Sequence, residues 1–233
     1  ENYRCVAIDH IGFGLSDKPE HYDYSTQNHS STLEKFVFGK RLSDITLVVH
    51  DFGGPIGLDF AIKYPGKVKK LIILNSWLWN SSGDADFIRL SKALKSPFLP
   101  LFYRYLNFSP TFILPRSFGD HKPSRKLLKQ YTRPFANKTQ RNGALAFAKS
   151  LLNDQDWFEA LWNKRHQISD KPTLLIWGMK DPMIKAHYLD KFILGFTQSR
   201  AIKLATSGHF PQEEQPEIVT AAILDFLEPP YSQ

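Results

Sequence analysis

The 233-residue chain predicts an α/β fold, with a mostly parallel sheet, flanking helices and an inserted helical segment. Three observations point there. Short β-branched runs alternate with stretches of helical periodicity in both the first and the last thirds of the chain, the pattern of a parallel sheet covered by helices. Between residues 81 and 165 the strand signal stops, and aromatic, proline-rich stretches such as "SPFLPLFYRYLNFSP" replace it. A composition of 42% hydrophobic and 14% aromatic residues is enough to bury a full core.

In order, "RCVAIDHIGFGLSDKP" reads as a buried strand at Arg4 to Ile8 followed by a Gly-rich loop. "NHSSTLEKFVFGK" is helical, with Leu33, Phe36 and Val37 on one face, Lys35 and Lys40 facing away, and Gly39 near its end. The β-branched run "DITLVV" predicts a strand from Ile45 to Val49. "GGPIGLDFAIKYPG" is a helix closed by Pro65 and Gly66, with Ile56, Phe60 and Ala61 inward, and "KVKKLIILNS" is the next strand. After the insertion, "PTLLIWG" and "AIKLA" are strands, and "KAHYLDKFILGF" and "PEIVTAAILDFL" are helices. The expected organisation is therefore core (1–80), helical lid (81–165) and core again (166–233).

The composition excludes several function classes. No apolar run reaches the length of a membrane span, so no membrane partner is expected. A single cysteine, Cys5, excludes an internal disulfide framework and gives no metal cluster; it is expected to pack as a small hydrophobe. This cysteine usage makes a cytoplasmic location the default, with any targeting segment lying upstream. The net charge of +7 is spread as single charges and pairs without a nucleic-acid motif, so no nucleic-acid partner is expected. The oligomeric state is left open.

Three residues stand where an open parallel sheet binds ligands, beyond the carboxyl ends of its strands. Asp51 follows "LVVH", Asp181 follows "LLIWGMK" and His209 follows "IKLATSG". Each has an ordinary structural role open to it: Asp51 as a helix N-cap, Asp181 as the cap of a turn, His209 as a loop histidine. Together, at successive strand ends and in the order nucleophile, acid, histidine, they form a candidate catalytic triad. The turn at Asp51 has small residues behind it, Gly53 and Gly54, and the backbone N–H of Phe52 opens the following helix toward developing negative charge.

"DHIGFGLSDKP", "VVHDFGGPIGLDFA", "LLIWGMKDP" and "SGHFPQEEQP" resemble the haloalkane dehalogenases of the α/β-hydrolase superfamily, along nearly the whole chain. The resemblance implies attack by the Asp51 carboxylate on a saturated carbon, with loss of halide and formation of an ester. Serine in that place would leave an ether, which water does not cleave. His209, oriented by Asp181, then activates the water that hydrolyses the ester. No metal or organic cofactor is implied; the partners are a small apolar substrate and water, with Trp77 and Trp157 expected at the substrate pocket.

The resemblance departs at several points. Haloalkane dehalogenases normally place a Trp directly after the nucleophile as a halide donor, and here that residue is Phe52, which has no N–H to give. Loss of one such bond costs about 2–4 kcal/mol at a transition state. Trp77, Trp157 and Trp162 are the other candidate donors, with ordinary packing in the interior the more common role for each. Some members carry the acid after the strand that here ends in Asn75 and Ser76, so the role falls to Asp181. Relatives also have three further strands before "YRCVAIDH"; without them the 233 residues alone are expected to be unstable and inactive. Two other functions stay open: an epoxide hydrolase on the same triad, with Tyr103, Tyr105 and Tyr131 as proton donors, and a non-catalytic binding member of the fold.

Overall fold

The computed structural model describes residues 3–228. Four strands, β1 (Ile45–Asp51), β2 (Val68–Ser76), β3 (Thr173–Gly178) and β4 (Ser199–Leu204), form one parallel sheet in the order β1-β2-β3-β4. Helix α1 (Thr26–Gly39) precedes β1, and α2 (Gly53–Lys63) joins β1 to β2. Between β2 and β3 the regular elements are helical: α3 (Ala85–Leu94), α4 (Leu99–Leu106), α5 (Leu114–Ser117), α6 (Arg125–Thr132), α7 (Asn142–Asn153) and α8 (Gln155–Lys164), with short intervening helical turns. α9 (Ala186–Gly195) links β3 to β4, and α10 (Pro211–Glu214) and α11 (Pro216–Leu227) follow.

Alternation along the central strands builds two cores. In β2, Leu71 and Ile73 face the layer of α1, α2, α8 and α9, whereas Ile72 and Leu74 face α11 through Val219 and Ile223. All four are buried, and so is every residue of β3. Burial on both faces explains why these strands read as unbroken apolar runs. Each such side chain contributes roughly 1.5–3 kcal/mol on leaving water. The helical periodicity is equally faithful. Val37 is buried, with Leu33 and Phe36 against the same core, and Ser25 Oγ caps α1 by accepting the Asn28 N–H at 3.2 Å.

The first segment differs from expectation. Residues 4–8 form no strand, and Cys5 is exposed rather than packed. The sheet ends at β1, which pairs with β2 alone among the described residues, so residues 4–8 have no neighbouring strand with which to share a ladder. An apolar run becomes a strand only through such pairing.

Candidate active site

The β1–α2 turn sets the position of Asp51. Its φ is +50°, in the left-handed region that a non-glycine residue enters at a cost of about 1–3 kcal/mol. Neighbours hold the turn in place: Asp51 is paired with Ser76 across the ladder, and the Ser76 hydroxyl donates to the Asp51 carbonyl at 2.7 Å. Gly54 lies so close to Ser76 that a Cβ there would overlap Ser76 Oγ, which is why α2 needs a glycine in its first turn. Phe52 N-caps α2, so its N–H is among the donors at the helix start that have no partner within the helix.

Asp181 and His209 are brought to the same end of the sheet. His209 Nδ1–H donates to Asp181 Oδ2 at 2.7 Å, while Nε2 stands 3.8 Å from Asp51 Oδ1, too far for a hydrogen bond. Asp181 is a cap and a partner to His209 at once, one oxygen for each role. Oδ1 accepts the N–H groups of Met183 (2.8 Å) and Ile184 (3.0 Å), and Oδ2 accepts from His209 and from Asn75 Nδ2 (2.9 Å).

Electrostatics follow from this arrangement. Burial works against charging the His209 ring, yet the Asp181 carboxylate, through its charge and hydrogen bond, and Asp51 beside it push the pKa up to about 10. Burial likewise opposes ionisation of Asp181, but His209 and the two backbone N–H groups hold its carboxyl below the usual range.

Residues that sequence reasoning passed over complete the frame. His50 Nε2–H donates to the His209 carbonyl at 2.7 Å, and the two rings lie 4.7 Å apart. Burial, and next the neighbouring His209, lower the His50 pKa to about 4, so it stays neutral and acts as a donor without charge. The resemblance marks position 75 only as a place where some relatives carry the acid. The Asn75 amide in fact accepts the Gly178 N–H (2.8 Å) and donates to both the Gly178 carbonyl (3.1 Å) and Asp181. Glu214 accepts the N–H groups of Gly119 (2.9 Å) and Gly208 (2.7 Å), fixing the loop that carries His209. For His50 and Asn75 the sequence signal is adjacency: His50 precedes the nucleophile candidate, and Asn75 is the last residue but one of a strand.

Asp51 opens into a cavity of about 250 Å³, walled mainly by aromatic and aliphatic side chains, among them Phe52, Trp77, Tyr103 and Phe147. Phe52 packs against Phe147 with the rings tilted at 37° (4.6 Å between centroids) and meets the Trp77 ring nearly edge-on (5.0 Å, 78°). Trp157 is not at the cavity. It packs beside Phe158, rings 5.6 Å apart, against the main core, and the residue that α8 turns to the cavity is Gln155. Trp162 lies against Trp79, Phe192 and Arg165, also away from the cavity. Of the three tyrosines, only Tyr103 lines it, with burial raising its pKa to about 12. Tyr105 is exposed, and the Tyr131 hydroxyl is committed to Glu213 at 2.6 Å. Among the described residues no cluster of three or more His, Cys, Asp or Glu is arranged to hold a metal, and no helix is long and apolar enough to cross a membrane.

A parallel sheet with a strained acid at one strand end, and a buried Asp–His pair at two others, defines a hydrolase-type fold and site. Comparison with known proteins agrees. Residues 1–216 match the family model described as alpha/beta hydrolase fold. The chain is 33% identical over 238 residues to a haloalkane dehalogenase of Mycolicibacterium paratuberculosis, covering 92% of this chain and 71% of that protein. It is 29% identical over 232 residues to haloalkane dehalogenase 2 of Mycobacterium tuberculosis, covering 97% and 79%. The solved structure of haloalkane dehalogenase DatA from Agrobacterium tumefaciens C58 superposes with a TM-score of 0.79 at 26% identity, covering 94% of this chain and 77% of that one. Similarity extends, at 27% identity in each case, to a cis-3-alkyl-4-alkyloxetan-2-one decarboxylase of Shewanella oneidensis (97% and 74% covered) and to epoxide hydrolase 1 of Caenorhabditis elegans (97% and 59%). The chain belongs to the α/β-hydrolase family, as an enzyme of the haloalkane dehalogenase-like type.

Proposed function

We propose that the protein cleaves carbon–halogen bonds of small haloalkanes through an aspartyl ester on Asp51. The observation that supports this most directly is the placing of a carboxylate, not a hydroxyl, at a strained turn on the floor of an apolar cavity, with a buried Asp–His pair beside it. In this reading α3 to α8 act as the lid. Asp51 displaces halide from the saturated carbon. Trp77 lines the cavity next to Phe52, and its indole N–H, which has no hydrogen-bond partner among the described residues, supplies in this reading the leaving-group donor that Phe52 lacks. His209 then accepts a proton from water, which attacks the carbonyl carbon of the ester and releases alcohol. The 3.8 Å gap between His209 Nε2 and Asp51 leaves the ring nitrogen free for that water.

The pH dependence follows from the charges. His209 serves as a base only when neutral, so ester hydrolysis rises with pH through the pKa of its ring. Alkylation removes the negative charge of Asp51, and so the pKa that governs hydrolysis lies below the value of about 10 in the free enzyme. Asp181→Asn removes the largest influence raising that pKa; the rising limb of kcat should move to lower pH while kcat itself falls, on the order of 10⁴-fold. A limb that stays in place would show that His209 is not the base.

One observation favours a second reading, epoxide hydrolysis. Tyr103 lines the cavity, and its hydroxyl has no hydrogen-bond partner among the described residues, as proton donation to an opening ring requires. Turnover of a bromoalkane panel, read as halide release, against an aliphatic epoxide panel, read as diol, separates the two. Halide release without diol supports the first reading, and the reverse supports the second.

A further inference from the structure

Helix α4, "LPLFYRYL", is apolar around most of its circumference but covered on one side only. Leu99 and Tyr103 point inward, whereas Leu101, Phe102, Tyr105 and Leu106, with Phe98 just before the helix, are exposed; Phe98 is 62% and Tyr105 60% accessible. A helix apolar all round is ordinarily buried, and a contiguous exposed patch of this kind marks an interaction surface.

Charge indicates what covers it. Residues 87–153 carry thirteen of the chain's 30 Lys and Arg but only one of its 23 Asp and Glu, Asp120. Of those thirteen cations, Arg89 alone has a carboxylate within 4.0 Å among the described residues. Several border the apolar face. Arg104 lies on α4, Lys138 stands 5.8 Å above the Tyr105 ring, Arg141 donates to the Arg104 carbonyl at 2.6 Å, and Arg116 donates to the Phe112 carbonyl at 2.9 Å. Exposed aromatic and aliphatic side chains ringed by unpaired cations suit the boundary between acyl chains and anionic headgroups, where apolar groups leave water and cations stay near charge.

The patch also leads to the cavity. Rings of Phe102, Phe108 and Phe112 follow one another at 5.8 and 5.5 Å. Phe108 and Phe112 line a surface depression that shares Ile113 and Met183 with the cavity holding Asp51. We propose that the α4 face is a peripheral docking surface for anionic lipid bilayers, and that it sets the mouth of the cavity against the acyl layer, from which apolar substrate enters. Peripheral docking needs no spanning helix, so it is compatible with the described residues having none.

The test is cosedimentation of the full chain with vesicles of phosphatidylcholine alone and with vesicles containing about one-third phosphatidylglycerol. Binding should be at least about tenfold tighter to the anionic vesicles and should weaken at high salt. The triple variant Phe98→Ser, Leu101→Ser, Tyr105→Ser should lose vesicle binding and keep the wild-type unfolding midpoint, since none of the three lines the cavity or the core. The pair Arg104→Gln, Lys138→Gln should erase the preference for anionic lipid. The idea fails if the chain ignores vesicles, if either variant binds as the wild type does, or if the lipid-free protein is a dimer that the triple variant dissolves. That last result would make α4 a subunit interface. None of these readouts depends on turnover, so the outcome is independent of the proposed reaction.

Discussion

His209→Gln should release one equivalent of halide per chain and then stop. Displacement of halide needs the Asp51 carboxylate and a donor for the leaving group, neither of which this change removes. Hydrolysis of the ester needs a base, and glutamine is not one. Steady-state turnover should fall on the order of 10⁶-fold, the scale seen when a triad histidine is removed, while the first halide still leaves. Mass spectrometry of the peptide holding Asp51 should show the added alkyl group. The side chain is buried beside Asp181, and the remaining Asn75 and backbone donors still satisfy that carboxylate, so the fold should tolerate the change. A stalled enzyme without an adduct would contradict the ester.

Asp51→Asn should abolish both the burst and the turnover, again on the order of 10⁶-fold. An amide is a far poorer nucleophile than a carboxylate, and nothing else in the cavity wall takes its place. The contacts that hold the turn run through the backbone carbonyl of residue 51 and through Ser76, so the geometry should persist. Asn also tolerates the left-handed backbone better than most residues. Substrate should therefore still bind, read through quenching of tryptophan fluorescence, to which Trp77 in the cavity wall contributes. Retained halide release would remove Asp51 from the mechanism.

Much of this architecture was legible in the sequence because it depends on local pattern. The β-branched runs at 45–49 and 71–74 became strands, and the spacing of Leu33, Phe36 and Val37 became a buried helix face. The misreadings concern partners far away in the chain. "RCVAI" has strand composition, yet composition does not supply the neighbouring strand that a ladder requires. Trp157 and Trp162 differ from Trp77 only in which way their elements face, and that is decided by packing. For the site, the order Asp51, Asp181, His209 could be read from strand ends. The role of His50 could not, because its partner is a backbone carbonyl 159 residues away, and any residue type can provide a backbone carbonyl.

The Asn75 side chain imitates a peptide group. Beyond the last paired residues of β2 and β3, Leu74 and Ile176, its amide both accepts from and donates to Gly178, adding one more rung where the two strands no longer pair. The same amide touches the acid of the site at 2.9 Å. Position 75 and position 181 are therefore not independent. A carboxylate introduced at 75 while Asp181 remains would force two acids together in a buried place, and removing Asp181 alone takes from His209 its main counter-charge. Moving the acid from one strand end to the other, as its two locations within the family imply, is a change that passes only through both sites together. It is a case of epistasis that begins at the contact between one amide and one carboxylate.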